Sequence, residues 1–384
     1  MDVVAGRYAG EERRPIRHVD LTLLLIVGLI TVAGFFLLYS ATKSTLIGEN
    51  QSQYARVTKQ AVTAAIGLVV MLLLCTFDYR FLKVYAGFVY AGILVLLVAV
   101  RLPFLGNAGI GWNAGAQRWF AFGGLQITPS EFVKVAIIVM LAAVLSEFRS
   151  PVPTLRDLLR VCVIAGIPTA LVFLQPDIGT TIVLVAILGG MLVVAGTRPR
   201  HLATIAVVAL VGLALAFQLG FIKTYQLNRL TGFLDPKSDS ATTNYNRQQA
   251  EIAVGAGGMF GRGYLAGTQT NLDFVPDQWT DFIFTVSGEE FGFVGSTILL
   301  GLYAMLIWRA IRIAQLSKDP FGTYLATGIA SMFAIQMFVN VGMVIGIMPI
   351  TGIPLPFISY GGSQMLANFA AVGILLNVHM RRFK

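Results

Sequence analysis

The sequence predicts an all-α polytopic membrane protein with ten transmembrane helices, long outer loops and both termini in the cytoplasm. Three observations predict it. Of the 384 residues, 56% are hydrophobic and 12% charged, with a mean hydropathy of +0.75, roughly half the charge a soluble domain carries. Ten apolar stretches recur along the chain, each close to the ~20 residues that cross a ~30 Å hydrocarbon core. Basic residues alternate in density between successive connecting segments, as the positive-inside rule requires.

The stretches lie at about 21–40, 60–77, 84–100, 131–146, 157–174, 178–196, 201–220, 291–308, 322–347 and 361–379. The first follows Arg13, Arg14 and Arg17. Its apolar run exceeds the about 7–15 residues of a signal-peptide core and no A-x-A site follows, so it is expected to stay as an anchor. An even number of spans puts both termini on one side, and 17 of the 28 Lys and Arg fall on that side. Ten fall opposite, half of them in one long loop that largely escapes the rule. The chain is therefore read as a single integral membrane domain, 1–384, with 1–20 a cytoplasmic tail and 221–280 a long extracytoplasmic loop carrying or flanking any active site. The net charge of +9 follows from this topology and from contact with anionic membrane lipids, and needs no nucleic acid. Cys75 and Cys162 lie inside apolar runs, and His18, His201 and His379 are scattered at segment edges. A disulfide framework and a metal held by His and Cys are excluded.

Short cytoplasmic connections leave the outer segments 101–130, 221–290 and 348–360, rich in Gly, Pro and aromatics, as the place for chemistry. There is no repeat at a fixed period, nor the pair of matching broken segments that marks many transporters. In DQWTDFIFTVSGEEFGFVG, Asp281 is followed at once by apolar residues. A carboxylate at such a boundary suits a general base, while Thr280 or Asp281 capping a helix that begins at Phe282 explains it equally well. Thr128, Pro129, Ser130 and Glu131 form a T-x-x-E capping box with Pro at the first helical position, and Lys134 follows Glu131 by three residues on the same face. A capped and paired helix start is the favoured reading. Lining a polar cavity is the other, because charges at this depth rarely face lipid.

In QPDIGTT, Pro176 ends one helix and Asp177 is expected to cap the next across a tight turn, with Gln175 and Asp177 as further candidates for a substrate groove. GAGGMFGRG fits neither a P-loop nor a dinucleotide fingerprint. It reads first as a loop needing positive φ and second, with Arg247 and Arg262, as a phosphate-binding element. Trp112, Trp119 and Trp279 are expected as interfacial anchors. The three prolines and three glycines of PITGIPLPFISYGG forbid a continuous helix and predict an irregular segment walling the site.

The strings RWFAFGGLQITPSEFVK, FLQPDIGTT, YNRQQAEIAVGAGGMFGRG, WTDFIFTVSGEEFGF and PITGIPLPFISYGGS, in this order over nearly the whole chain, resemble the SEDS family of shape, elongation, division and sporulation proteins. ITGIPLPF is nearer the elongation than the division branch. The resemblance implies a ten-helix inverting glycosyltransferase. It would polymerise lipid II on the outer face of the cytoplasmic membrane during cell elongation and rod-shape maintenance, with a single-pass class B penicillin-binding protein as its transpeptidase partner. It maps the essential aspartate onto Asp281 as base, and further motif residues onto Glu131, Lys134 and Asp177. Thr128 departs from the Gln that the family commonly has before Pro-Ser-Glu. By side and chemistry, Arg118, Lys134, Arg247 and Arg262 are the candidates to neutralise a departing pyrophosphate. No cofactor is implied, and a divalent cation held by the outer acids is left open. The rivals are a lipid-linked precursor flippase, which would need a cationic cavity open to both sides, and a scaffold in which Asp281 is dispensable.

Overall fold

The computed structural model describes residues 18–102, 107–108, 117–122, 125–148, 152–218, 233 and 241–382. Most of the expected 1–20 tail, much of the 221–280 loop and Trp112 lie outside the described residues. The fold is predominantly helical. Its helices are α1 (Leu21–Gly48), α2 (Ala55–Thr76), α3 (Arg80–Ala99), α4 (Pro129–Leu145), α5 (Leu155–Leu174), α6 (Ile178–Val194), α7 (Pro199–Gln218), α8 (Ala241–Ala256), α9 (Thr268–Asn271), α10 (Ile283–Leu316), α11 (Pro320–Val344) and α12 (Gly362–Arg381). Each expected apolar stretch overlaps one of them, although α11 stops at Val344, short of the expected 347, and 219–220 lie outside the described residues. Six, α1, α2, α3, α5, α10 and α11, are long and apolar enough to cross a membrane by length and composition. The helix expected from 291 begins earlier, at Ile283.

The all-α expectation is corrected by a small antiparallel sheet between α3 and α4. It is ordered β1 (Asn107–Ala108), β2 (Gln117–Phe122), β3 (Leu125–Ile127), with Phe120 opposite Ile127 and Phe122 opposite Leu125.

Packing shows which helix ends lie together. α4 is central, buried along almost its whole length against α3, α5, α6, α11 and α12, while α2 lies along α12 and α10 along α11. At one end of the bundle Asp20 meets Arg309 at 2.6 Å, Asp319 meets Arg80 at 3.4 Å and accepts from Tyr79 at 2.7 Å, and Asp78 meets Arg381 at 3.3 Å. The start of α1 and the end of α12 thus share that end. At the other, the Thr128 N–H donates to Ser363 Oγ at 2.9 Å, tying the start of α4 to the start of α12.

The glycine stretch after α8 docks backbone to backbone on α10, where Gly292 (φ 65°) breaks the helix. The N–H groups of Arg262 and Gly263 donate to the carbonyls of Glu289 and Glu290, and those of Phe293 and Val294 donate to Gly258 and Met259. A Cβ on Gly257, Gly261 or Gly292 would overlap the backbone facing it. The glycines are there for close approach, with positive φ at Gly258, Gly261 and Gly263. Below this dock, buried Glu289 accepts from the N–H groups of Gln269 and Thr270 at 2.8 and 2.9 Å. Glu290 accepts from Ser40 and from the Leu265 N–H. These two acids anchor the loop.

Candidate active site

Residues 345–361 form no helix, and buried Ile353, Leu355, Phe357 and Ile358 fill the bundle around them. Side chains satisfy backbone groups that a helix would have paired. Gln60 Nε2 donates to the Ser359 carbonyl at 3.0 Å, the Leu355 N–H donates to Ser359 Oγ at 2.8 Å, and Tyr303 donates to the Pro356 carbonyl. As the prolines predicted, the segment walls a cavity. That cavity, about 950 Å³, lies among the starts of α2, α4, α6 and α12, the sheet and the turn before α10.

Asp281 lines it. Helix α10 starts just after it, at Ile283, with Phe282 as N-cap. Its backbone is held in place. Asn340 Nδ2 donates to the Asp281 carbonyl and to the Ile353 carbonyl, both at 2.7 Å. Ser359 Oγ donates to the Thr280 carbonyl at 2.6 Å, and the Tyr360 N–H donates to that of Trp279 at 2.9 Å. A carboxylate on so firmly held a backbone is presented to the cavity at small entropic cost.

Glu131 and Lys134 face the same space. The expected capping box is absent: Thr128 is the N-cap and Pro129 the first helical residue, yet no side-chain cap bond forms. Lys134 Nζ instead donates to Glu131 Oε2 at 2.6 Å, with Lys134 2% and Glu131 9% exposed. At this depth the attraction of a buried ammonium outweighs a bond to a helix-end N–H.

Asp177 does cap α6, accepting from the Thr180 N–H at 3.0 Å, and also lines the cavity. Gln175 is outside the lining, its Nε2 donating to the Leu97 carbonyl at 2.8 Å. Arg118, on β2, donates to the carbonyls of Gln175 (2.9 Å) and Pro176, placing a cation at the end of α5 and at the cavity mouth.

The structure therefore brings Asp281, Glu131, Lys134, Asp177 and Arg118 together. Arg247 and Arg262 are not part of the lining. Arg247 pairs with Glu251 at 2.7 Å, and Arg262 donates to the Ala256 carbonyl and to Thr268 Oγ1, both at 3.1 Å.

Two cations that the sequence reading passed over take part in the lining, Arg56 and Lys59, on the first turns of α2. The Arg56 guanidinium lies 3.9 Å from the centre of the Trp279 ring, and its Nη1 is buried without a hydrogen-bond partner among the described residues. Burial pushes the Asp273 carboxyl above its ordinary range, and the Arg56 charge pulls it partly back. Trp119 and Trp279, expected as interfacial anchors, line the cavity, carried there by the sheet and the pinned turn. The available signal was the pairing of Arg56 and Lys59, three apart, with an apolar helix that needs no cations there. Among the described residues no group of three or more His, Cys, Asp or Glu is placed to hold a metal ion.

A family model described as "Cell cycle protein", covering FtsW, RodA and SpoVE, matches residues 20–384. The chain belongs to this family. The peptidoglycan glycosyltransferase MrdB of Escherichia coli strain K12 is 36% identical over 365 residues, 95% of this chain and 94% of that protein. Two solved structures share the fold. A chain of a peptidoglycan synthase complex, described for its coordination of polymerization and crosslinking, superposes with a TM-score of 0.78 at 29% identity, covering 95% of this chain and 99% of that one. The crystal structure of the rod shape determining protein RodA of Thermus thermophilus gives a TM-score of 0.70 at 29% identity, covering 95% and 98%. With its apolar helices, this member of the FtsW/RodA/SpoVE family is a multi-pass protein of the cytoplasmic membrane.

Proposed function

We propose that the protein is a peptidoglycan glycosyltransferase that polymerises lipid II into glycan strands on the outer face of the cytoplasmic membrane, in cell elongation and rod-shape maintenance. The observation that carries this reading is one cavity holding a backbone-pinned carboxylate, Asp281, together with Arg56, Lys59 and Arg118. An acid and a set of cations are what displacement of a sugar pyrophosphate requires.

In the reaction, the acceptor hydroxyl passes its proton to the Asp281 carboxylate as its oxygen bonds to the donor's anomeric carbon. The bond from that carbon to the pyrophosphate oxygen breaks, and the leaving group takes the electron pair. Attack opposite the α-linked pyrophosphate gives the β-linked product, so the reaction inverts. Charge growing on the pyrophosphate is met by Arg118, Arg56 and Lys59, while Lys134 pairs with Glu131 at the cavity's buried side.

Ten spans with both termini cytoplasmic put the cavity outside, in keeping with the basic tally and with the gathering of alternate helix ends at opposite ends of the bundle. A class B penicillin-binding protein is the partner, a reading supported by the likeness to a chain of a polymerising and crosslinking complex. Purified protein incubated with lipid II tests the activity, with product length read on a gel. Polymer from the wild type and none from Asp281→Asn is expected. Translocation of lipid II without polymer would replace this reading by the flippase. Sidedness is read by labelling Ser52→Cys and Ser317→Cys with an impermeant thiol reagent in cells lacking Cys75 and Cys162. Labelling at 52 and protection at 317 is expected.

A further inference from the structure

The cavity has a charged mouth and a neutral floor. Lys59 is exposed and Arg56 and Arg118 half-buried, whereas Gln336 (0% exposed), Gln364 (4%) and Thr351 (8%) are closed off from bulk solvent. All three line the cavity. Gln336 Nε2 and Oε1, Thr351 Oγ1 and Gln364 Oε1 are buried without a hydrogen-bond partner among the described residues. The Gln364 amide is oriented by its Nε2, which donates to the Pro354 carbonyl at 3.3 Å, leaving Oε1 to accept.

These groups come from three separate elements: α11, the 345–361 segment and α12. Gln336 stands one helical turn before Asn340, the residue that holds the Asp281 carbonyl, so the floor adjoins the pinned turn. Buried polar atoms in native proteins are nearly always paired, so several orphans converging on one cavity point to a ligand that pairs them. An apolar ligand would leave all of them unpaired. An anion finds no free charge here, because Lys134 is neutralised by Glu131 at 2.6 Å. A ligand carrying hydroxyl and amide groups in a neutral ring satisfies donors and acceptors alike.

We propose that Gln336, Thr351 and Gln364 form a hydrogen-bonding subsite that reads the hydroxyl and acetamido groups of the lipid-linked sugar, while the cations at the mouth hold its pyrophosphate. This rests on the glycosyltransferase reading above. It divides recognition within one cavity, with sugar identity read at the floor and the anionic carrier at the mouth.

The test uses full-length protein carrying Asp281→Asn, so that bound substrate is not consumed. Affinity is measured for lipid II and for undecaprenyl pyrophosphate, which has the same carrier and anion but no sugar. Gln336→Leu and Thr351→Val, added singly, should each weaken lipid II binding about tenfold, the size of one or two lost neutral hydrogen bonds, and leave undecaprenyl pyrophosphate unchanged. Both substitutions remove orphan polar atoms and keep the volume, so melting should match or exceed that of the parent. If Gln336→Leu fails to fold, the near-isosteric Thr351→Val carries the test. Equal loss for the two lipids, or no loss for either, overturns the subsite. The glycosyltransferase reading is judged separately by whether wild-type protein polymerises lipid II. Wild-type polymerisation combined with unselective variants would sink the subsite alone.

Discussion

Replacing Lys134 by Met removes a buried ammonium and leaves Glu131 without its counter-ion. At 2.6 Å and an effective dielectric constant of about 20, the attraction between the two is about 6 kcal/mol. Desolvation of two ions, several kcal/mol each, offsets most of it, so the intact pair adds little net stability. Breaking the pair is different. With Lys134 2% and Glu131 9% exposed, the remaining carboxylate is left uncompensated in the cavity wall, at a cost of about 3–5 kcal/mol. Thermal melting in detergent should show Lys134→Met and Glu131→Gln strongly destabilised, and the double variant Glu131→Gln/Lys134→Met restored most of the way. Polymerisation separates structure from function. If the pair shapes the electrostatics of the cavity, the double variant melts nearly as the wild type and stays inactive. Single variants that melt within about 0.5 kcal/mol of the wild type would refute the buried-pair reasoning. Full activity in the double variant would reduce the pair to a structural fitting.

Asp281→Asn should lower polymerisation by about 10²–10⁴-fold with melting unchanged, since Asn serves a helix start about as well as Asp but cannot take a proton. Near-normal turnover would remove Asp281 from the role of base. Arg56→Ala should raise KM for lipid II more than it lowers melting, and Arg56→Lys should not restore KM, because a lysine lacks the planar group that stacks on Trp279. Equal rescue by Lys would mean that charge alone matters there. Gly292→Ala places a Cβ at φ 65° against the Gly261 backbone, and should cost about 2–4 kcal/mol from backbone strain and overpacking together. Gly255→Ala, with nothing within 4 Å of the added atom, should be neutral or slightly stabilising. Melting of the two variants in parallel decides it.

The helices were legible from the chain itself because they depend on near neighbours. Apolar runs of membrane length, the Pro176–Asp177 turn and the proline-rich 348–360 segment each carry their structural consequence locally, and each expected apolar run overlaps a helix while 348–360 is irregular. Asp281 and the Glu131–Lys134 spacing were visible too, but their roles were not. The sequence read the start of α4 as capped and paired together, and only the burial around α4 shows that the pair forms without the side-chain cap. Only the tertiary structure could bring Arg56 and Lys59 to the same cavity as Asp281, since they are more than two hundred positions away and look locally like an ordinary charged helix start. Only it could withdraw Arg247 and Arg262, whose place beside the glycines suggested a phosphate site until the glycines proved to be docked on α10. Helix formation follows from bonds within one turn of chain, whereas a site is a convergence of distant elements, and a linear pattern holds no record of which ends the packed core brings together.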